Sequence, residues 1–280
     1  MQPMTIGIVG LGLIGGSMAL TWSETTGHTL LGADSNPITL AAAVERGAIS
    51  RACEPDDWQK LDVLVLALAP HTTMEFLKEH VALLHPGAVV TDVCGVKAAV
   101  VDACTPLCAA HGVRFVGGHP MAGREKNGFS HADTKLFKGA SYIVTPREGE
   151  TDPEALALVR ELARELGCAR VTVTTPETHD RMIAFTSQVP HVLAGAYVQS
   201  PCCQHHIGYS AGSYRDVSRV ATIDEKLWSE LFLLNRPALC AELDLLIHSL
   251  EEYRAALEDG DEEGLRRLIR AGRECKENAK

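Results

Sequence analysis

A glycine-rich turn, Gly10-Leu-Gly12-Leu-Ile-Gly15, follows the first apolar run of the chain, Thr5–Val9, and opens a helical pattern. A strand, a turn with this glycine spacing and a helix are typical of the first βαβ unit of a dinucleotide-binding fold. Gly10 permits the tight turn, Gly12 lets the backbone approach a pyrophosphate, and Gly15 allows the helix to pack closely on the strand. A glycine-rich turn without a ligand is the alternative, but the strand and helix around it favour a cofactor site.

The expected cofactor contacts extend from this turn to the end of the second apolar run. Leu13 and Ile14 lie at the N-terminus of the helix, where free amides and the positive end of the helix dipole favour a diphosphate. Asp34 ends the second run, where an acid accepts hydrogen bonds from the ribose hydroxyls of NAD and repels the 2′-phosphate of NADP. Asp34 could instead cap the next helix, although Asn36 before Pro37 fits that role better. The sequence therefore predicts NAD as the cofactor.

Short apolar runs alternate with helical patterns through the first part of the chain. This alternation predicts an α/β fold with an N-terminal Rossmann-type, doubly wound parallel sheet. The expected strands are Thr5–Val9, His28–Ala33, Asp62–Leu68, Ala88–Val93, Arg114–Gly117, Ser141–Thr145 and Arg170–Thr174. Such sheets bind ligands at the carboxyl ends of their strands, so we also expect Ala69 and Pro70 to contact the cofactor.

Strand patterns stop after residue 175, and helical periodicity continues to the end of the chain. The expected helical segments are Glu177–Gln199, Ser213–Ile223, Glu225–Leu257 and Asp261–Ala271. We therefore expect an NAD-binding domain at residues 1–175 and an all-helical substrate and dimerisation domain at residues 176–280. Because these helices are apolar on more than one side and make a thin core alone, the sequence predicts a homodimer that forms through them.

The composition excludes several classes of protein. Of the 280 residues, 46% are hydrophobic and 22% are charged, as in an ordinary globular protein rather than a disordered one. A formal net charge of −10 disfavours nucleic acid and anionic membranes as partners. The nine cysteines are odd in number and form no pair of Cys-x-x-Cys motifs, so we expect neither a disulfide framework nor a metal site. With no membrane-spanning run and no secretory signal, we expect a cytoplasmic protein.

His119 is the candidate catalytic residue. It follows the expected strand Arg114–Gly117, between Gly118 and Pro120, which predicts an exposed loop at the carboxyl end of the sheet. Histidine titrates near neutral pH, so it can accept the hydroxyl proton of an alcohol as hydride leaves. A histidine that only satisfies a turn is the alternative interpretation.

Two arginines are candidates for substrate binding. Arg215 and Arg219 are four residues apart, so both project from one face of a helix that begins near Gly212. A pair of guanidinium groups beside a glycine-containing loop suggests a clamp for a carboxylate. A solvated basic face remains the alternative.

A polar stripe marks a third candidate surface. Helical spacing of 100° per residue aligns Asp180, Ala184, Ser187 and His191 within about 40° of one line. Pro190 frees the carbonyl four residues earlier and predicts a kink, which can shape a cavity. Such a stripe must face water, a partner or a cavity, and a polar dimer interface is the alternative to a substrate cavity.

Taken together, these motifs resemble the prephenate and arogenate dehydrogenases of tyrosine biosynthesis over nearly the whole chain. The matching blocks are Gly10–Ser17, Asp92–Lys97, Gly117–Gly128, His179–His191 and Gly212–Ala221. The resemblance implies an oxidoreductase that converts prephenate and NAD to 4-hydroxyphenylpyruvate, CO2 and NADH. It also implies an all-helical, dimer-forming second domain.

The resemblance assigns roles to individual residues. His119 matches the histidine that hydrogen-bonds the ring hydroxyl, and Arg219 matches the arginine that binds the substrate carboxylate, with Arg215 as a second basic partner. The other implied pocket positions are His191, Gly212 and Trp228, together with two acids of an ionic network, Glu125 and Asp180. One departure is Gly95, because many family members carry a serine there whose hydroxyl helps to hold the substrate hydroxyl.

Three other functions remain open at this point. One is a different dehydrogenase that acts on hydroxy acids, although such enzymes typically rely on a helical lysine and Lys226 is the only lysine of the helical region before the tail. Arogenate dehydrogenase performs the same chemistry on a substrate with an amino acid side chain, which a pocket acid would favour. A catalytically inactive NAD-binding sensor is more remote; Gly95 supports it, whereas the presence of His119 and Arg219 opposes it.

Overall fold

The computed structural model describes residues 1–123 and 126–279. Within them, eight strands form one sheet in the order β3-β2-β1-β4-β5-β6-β7-β8, and every neighbouring pair is parallel except β6 and β7. The strands are β1 Thr5–Val9, β2 Thr29–Ala33, β3 Arg51–Ala52, β4 Val63–Leu66, β5 Val89–Asp92, β6 Arg114–Pro120, β7 Ser141–Thr145 and β8 Arg170–Val173. The predicted Rossmann-type α/β fold is confirmed.

Helices connect the strands of this sheet and cover it. They are α1 Leu13–Thr25, α2 Pro37–Glu45, α3 Pro70–His80, α4 Ala98–Ala109 and α5 Pro153–Glu165. The central strands β4 and β5 are buried throughout, which explains the unbroken Val and Leu content of β4, whereas β5 ends in the polar residues Thr91 and Asp92. The strand β3 was not predicted from the sequence, because it has only two residues and carries no apolar run.

The strand β6 is longer than expected and carries His119 within it. Residues 117–120 pair in antiparallel register with β7, because the connection from β6 to β7 contains no crossover helix. The expected exposed loop around His119 is therefore wrong. Gly117 and Gly118 are needed in the strand for a different reason, since a Cβ at either position would collide with a side chain of β7.

All regular structure described after β8 is helical. The helices are α6 Pro176–Ile183, α7 Val189–Tyr197, α8 Gly212–Ser218, α9 Glu225–Leu234, α10 Arg236–Glu258 and α11 Glu262–Asn278. In residues 1–123 and 126–279, no helix has both the length and the apolar character that a membrane crossing requires.

Two irregularities break the long helices that the periodicity predicted. A single π-helical turn, Ala184–Gln188, separates α6 from α7, and Asn235 separates α9 from α10 just before Pro237. Pro190 lacks the N–H that the carbonyl of Thr186 would otherwise accept, and π turns commonly absorb such a defect. Both breaks lie beside the candidate site described next.

Candidate active site

The glycine-rich turn has the geometry that a dinucleotide requires. Gly10 has φ of 86°, a left-handed conformation, and a Cβ there would collide with the carbonyl of Ala67. A Cβ on Gly15 would collide with the carbonyl of Gly10, so close packing excludes a side chain there as well. A Cβ on Gly12 would meet no atom within 4 Å, which leaves open space above the turn.

The N-terminus of α1 has amides that can bind an anion. Gly12 is the N-cap and has no side chain to bond the amides of the first turn, which include those of Leu13 and Ile14. These unpaired donors and the helix dipole together suit the diphosphate of NAD. The residues present therefore fit the cofactor at this end of the sheet.

Asp34 lies beside the turn at the end of β2. Its Oδ2 accepts a hydrogen bond from the amide of Leu11 at 2.8 Å, and its Oδ1 accepts one from the amide of Asn36 at 2.8 Å. The cap of α2 is supplied by Asn36, whose Oδ1 accepts from the amide of Ile38 at 2.9 Å. The carboxylate of Asp34 is thus held in place, and each oxygen keeps a lone pair for a ribose hydroxyl.

Ala69 and Pro70 form the junction between β4 and α3 at the same edge of the sheet. Ala69 is the N-cap of α3, and Pro70 is its first residue. This loop therefore stands where open parallel sheets bind their ligands.

A cavity of about 460 Å³ lies between the carboxyl edge of the sheet and the second set of helices. Its wall combines polar and apolar side chains from β6, α6, α7, α9 and the segments that connect them. The lining residues are Gly95, His119, Pro120, Met121, Ala122, Gly123, Asn127, Ile183, Ser187, Gln188, His191, Arg219, Val220, Thr222, Ile223, Asp224, Leu227, Trp228 and Leu231. Its volume suits a small organic ligand.

His119 is the first member of a chain of hydrogen bonds that leads away from this cavity. Its Nδ1 lies 2.8 Å from Nε2 of His179, and Nδ1 of His179 lies 2.7 Å from Oδ1 of Asp180. The carboxylate of Asp180 also accepts the amides of Lys97 at 2.7 Å and Ala98 at 2.9 Å, which fixes it at the N-terminus of α4. His179 and Asp180 are buried behind His119.

These contacts assign the tautomers of both histidines. The carboxylate of Asp180 can only accept, so Nδ1 of His179 carries the hydrogen and Nε2 of His179 accepts. Nδ1 of His119 must then be the donor between the two rings. Nε2 of neutral His119 is left with a lone pair, and this atom lies 3.9 Å from the position of a Cβ built on Gly95, another residue of the cavity wall.

The surroundings keep both rings neutral. Burial lowers the pKa of His119 well below its usual range, and the His179 ring and the Lys97 ammonium group lower it further. Burial also lowers the pKa of His179, although the hydrogen bond to Asp180 opposes this shift. His119 is therefore a hydrogen-bond acceptor toward the cavity at neutral pH.

A buried ion pair holds the backbone on which His119 stands. Lys97 and Asp92 are both fully buried and in contact, and Nζ of Lys97 also donates to the carbonyl of Gly118 at 2.7 Å. Asp92 accepts the amide of Gly118 at 3.1 Å through Oδ1 and that of Cys94 at 2.9 Å through Oδ2. The pair thereby ties the end of β5 to the residue that precedes His119 in β6.

His191 and Trp228 form one polar and aromatic corner of the cavity. Their ring centroids are 3.8 Å apart. Nδ1 of His191 donates to the carbonyl of Ser187 at 2.7 Å, within the stretch that the π turn disturbs. The second ring nitrogen, Nε2, is then the group that His191 can offer to a ligand.

Some of the other predicted site residues line the cavity and others do not. Arg219 lines the cavity, whereas Arg215 and Gly212 do not, and Arg215 is exposed on α8. Asp180 does not line it either, because it lies behind His179. Glu125 lies outside the described residues.

Three groups of this site were not predicted from the sequence. His179 was quoted within a motif but given no role. Asp180 follows it directly in the sequence, and an adjacent carboxylate that can orient a histidine is a signal that the histidine has a function. Gln188 and Asn235 were also missed: the amide nitrogen of Asn235 donates to Oε1 of Gln188 at 2.7 Å and to the carbonyl of Asp180 at 2.8 Å. This buried pair joins α10 to the π turn, which periodicity alone does not reveal.

The nine cysteines are free thiols. Cys94, beside Gly95, is buried, and burial holds the pKa of its thiol well above its usual range, which makes it a poor nucleophile. Among the described residues, no group of three or more His, Cys, Asp or Glu side chains is arranged to hold a metal ion.

Comparisons with known proteins match this architecture in two parts. Residues 19–173 match the family model described as prephenate dehydrogenase, nucleotide-binding domain, and residues 175–271 match prephenate dehydrogenase, dimerization domain. The prephenate dehydrogenase of Bacillus subtilis is 30% identical over 98% of this chain and 75% of its own length.

Solved structures also resemble the chain over nearly its full length. Prephenate dehydrogenase from Aquifex aeolicus, in complex with hydroxyphenyl propionate and NAD+, is 27% identical with a TM-score of 0.87, and the match covers 99% of each chain. Arogenate dehydrogenase from Synechocystis is 30% identical with a TM-score of 0.84, over 98% of this chain and 99% of that one.

Proposed function

The chain belongs to the prephenate dehydrogenase family, and we propose that it catalyses the NAD-dependent oxidative decarboxylation of prephenate to 4-hydroxyphenylpyruvate and CO2 in tyrosine biosynthesis. The observation that carries this proposal is the hydrogen-bonded chain from His119 through His179 to Asp180, which leaves Nε2 of His119 as an acceptor at the cavity on the carboxyl edge of a dinucleotide-binding sheet. The reaction needs such an acceptor for the proton of the ring hydroxyl.

Gly10, Gly12, Gly15, Asp34 and the amides of α1 would hold NAD, which would supply the hydride acceptor. His119 accepts the hydroxyl proton on Nε2 and becomes an imidazolium ion. Its Nδ1–H still donates to His179, and His179 still donates to the carboxylate of Asp180. The positive charge that develops on His119 is thereby stabilised through His179 by a negative group two hydrogen bonds away.

Arg219 is proposed as the anchor of a substrate carboxylate. Prephenate carries two carboxylates, and a guanidinium group offers paired donors with the matching planar geometry. His191 and Trp228 lie in the same cavity and bound the space for the rest of the substrate. Loss of the ring carboxylate as CO2 then makes the ring aromatic, which drives the step.

The remaining predicted residues keep proposed roles. Gly212, Arg215 and Glu125 are carried from the family resemblance as substrate-site residues. For Asp180, its contact with His179 favours a positioning role over direct contact with substrate.

A homodimer that forms through the second domain is part of the proposal. The helix α10 buries only Leu239, and it leaves apolar side chains exposed on several sides, namely Leu245, Ile247, Leu250 and Leu257. The family model for this region is described as a dimerization domain, and a second copy would cover such a surface. Light scattering coupled to size-exclusion chromatography should give twice the mass of the chain; a monomer at micromolar concentration would refute the dimer.

Two further assignments remain proposals. The division of the chain after residue 175 is supported by the gap between β8, which ends at Val173, and α6, which begins at Pro176. A cytoplasmic location is supported by nine free thiols, which suit a reducing compartment.

The deciding experiment measures NADH formation with prephenate and with arogenate, each offered with NAD and with NADP. We expect turnover of prephenate with NAD and little activity with NADP, because Asp34 repels a 2′-phosphate. A preference for arogenate would replace the proposed substrate and keep the chemistry of His119. No turnover of either substrate by protein that binds NAD would refute catalysis and favour the sensor.

A further inference from the structure

The helix α3 receives a cap from the other domain. Oε1 of Glu230, on α9, accepts a hydrogen bond from the backbone amide of His71 at 2.6 Å and lies 2.8 Å from Nδ1 of the His71 ring. The side chain of Glu230 is only 18% exposed, so this carboxylate is largely enclosed at the contact. The contact joins the sheet domain to the wall of the substrate cavity.

Local sequence explains why α3 needs a partner from elsewhere. The N-cap, Ala69, has no side-chain acceptor, and Pro70 at the first position has no N–H. The amide of His71 is therefore the first donor of the helix, and Glu230 satisfies it. A carboxylate also interacts favourably with the positive end of the helix dipole.

The same helix that provides Glu230 forms one wall of the cavity. Leu227, Trp228 and Leu231 of α9 all line it. Leu231 lies over Gly95, with its Cδ2 atom 3.5 Å from the position of a Cβ built there, and its carbonyl accepts the side-chain amide of Gln188 at 3.2 Å. A shift of α9 would therefore alter the cavity at several points.

We propose that Glu230 is a positioning residue that couples cofactor binding to the shape of the substrate cavity. The loop at Ala69 and Pro70, which we assign to the cofactor site, leads directly into the amide that Glu230 caps. A cofactor that fixes this loop also fixes Glu230 and, through it, the face of α9 that holds Trp228. This inference rests on the proposed function, since it needs both ligands.

The test measures the Kd of NAD with and without hydroxyphenyl propionate, the ligand of the Aquifex aeolicus relative, by isothermal titration calorimetry. We expect this ligand to tighten NAD binding on the order of 10-fold in the natural chain, and Glu230→Ala to reduce this factor below about 2-fold. The Kd of NAD alone should stay within about 2-fold, because Glu230 lies outside the turn that binds the diphosphate. Glu230→Gln should keep part of the coupling, since its amide oxygen can still accept from His71.

Glu225→Ala is the matched control, because Glu225 lies exposed on the same helix and outside the cavity lining. It should leave the coupling factor unchanged. Equal coupling in the natural chain and both Glu230 variants would overturn the proposal, as would a natural chain without coupling. Turnover of prephenate by the natural chain is measured separately, so failure of the coupling and failure of the proposed function are distinguishable.

Discussion

Nδ1 of His119 lies 2.8 Å from Nε2 of His179, so the two imidazole rings share one hydrogen. Because Asp180 accepts the hydrogen on the far side of His179, the direction of the whole chain is fixed toward the carboxylate. The consequence is a neutral His119 that presents an acceptor, rather than a donor, to the cavity.

Replacing His119 by Asn should abolish most turnover. An asparagine is too short to place an acceptor where Nε2 stands, and it cannot hold a proton at neutral pH. General-base catalysis contributes about 10²–10⁴-fold, so we expect kcat to fall by that factor. Steady-state kinetics measures the loss, and titration with NAD should give an unchanged Kd. A variant with natural kcat would remove His119 from the reaction.

His179 should act through His119. Two substitutions distinguish its role in orienting the His119 ring from its role in filling space. His179→Phe fills the space but removes the acceptor for Nδ1–H of His119, so we expect kcat to fall by about 100-fold through misorientation. His179→Gln offers an amide oxygen to the same hydrogen and should recover part of the loss. Initial rates at saturating NAD and prephenate measure both variants. Equal losses of kcat in His179→Phe and His179→Gln would mean that the hydrogen bond from His119 to residue 179 does not determine the rate.

The pH profile of kcat/KM should lack the acid limb expected of an ordinary histidine. Burial lowers the pKa of His119, so the ring stays neutral, and able to accept a proton, as the pH falls through 6.5. Activity should be lost only at lower pH, when the ring becomes protonated before substrate binds. Rates from pH 5 to 8 test this, with unfolding excluded by circular dichroism at each pH. An apparent pKa near 6.5 on the acid side would contradict the lowered pKa of His119.

Replacing Arg219 should weaken substrate binding more than it slows chemistry. Arg219→Ala removes a charge-assisted anchor, and such losses cost on the order of 2–5 kcal/mol, so KM for prephenate should rise by orders of magnitude. Arg219→Lys should recover only part of the affinity, since an ammonium group cannot form the paired contact. Arg170→Ala, on the exposed edge strand β8, serves as the control and should leave KM unchanged. An unaltered KM in Arg219→Ala would place this residue outside the substrate site.

The sequence was most informative where function depends on neighbouring residues. The turn at Gly10 and the acid at Asp34 could both be predicted, because a few neighbouring residues determine where the tight turn forms and where the strand ends. The alternation of strands and helices follows from the βαβ pattern for the same reason. The short strand β3 is the exception, since two residues carry no periodicity.

Sequence patterns could not predict contacts between residues that are far apart in the chain. His119 and His179 are 60 positions apart and lie on different elements, β6 and α6, so their contact depends on tertiary packing. The π turn at Ala184–Gln188 adds a residue to one helical turn, so the predicted line through Asp180 and His191 does not hold along the real helix. His191 and Ser187 reach the cavity, whereas Asp180 turns behind His179.

Gly95 leaves room for the hydroxyl that the family resemblance leads one to expect at this position. A Cβ built on Gly95 lies 3.9 Å from Nε2 of His119 and no closer than 3.5 Å to Leu231, so a small side chain fits without displacing the wall. Gly95→Ser should therefore fold normally and place a hydroxyl beside the reacting group. We expect kcat/KM for prephenate to rise by about 2- to 10-fold, the effect of one hydrogen bond.

Gly95→Ala separates the hydroxyl from the added carbon. It introduces the same Cβ without a donor or acceptor, so it should leave kcat/KM near the natural value, as measured by initial rates at saturating NAD. If kcat/KM rises in Gly95→Ser but not in Gly95→Ala, the added hydroxyl itself assists the reaction. The natural chain would then lack a hydroxyl that its active site is able to use. Equal kinetics for the two variants would mean that His119 and its chain to Asp180 already orient the substrate hydroxyl fully, and that a second polar group at position 95 adds nothing.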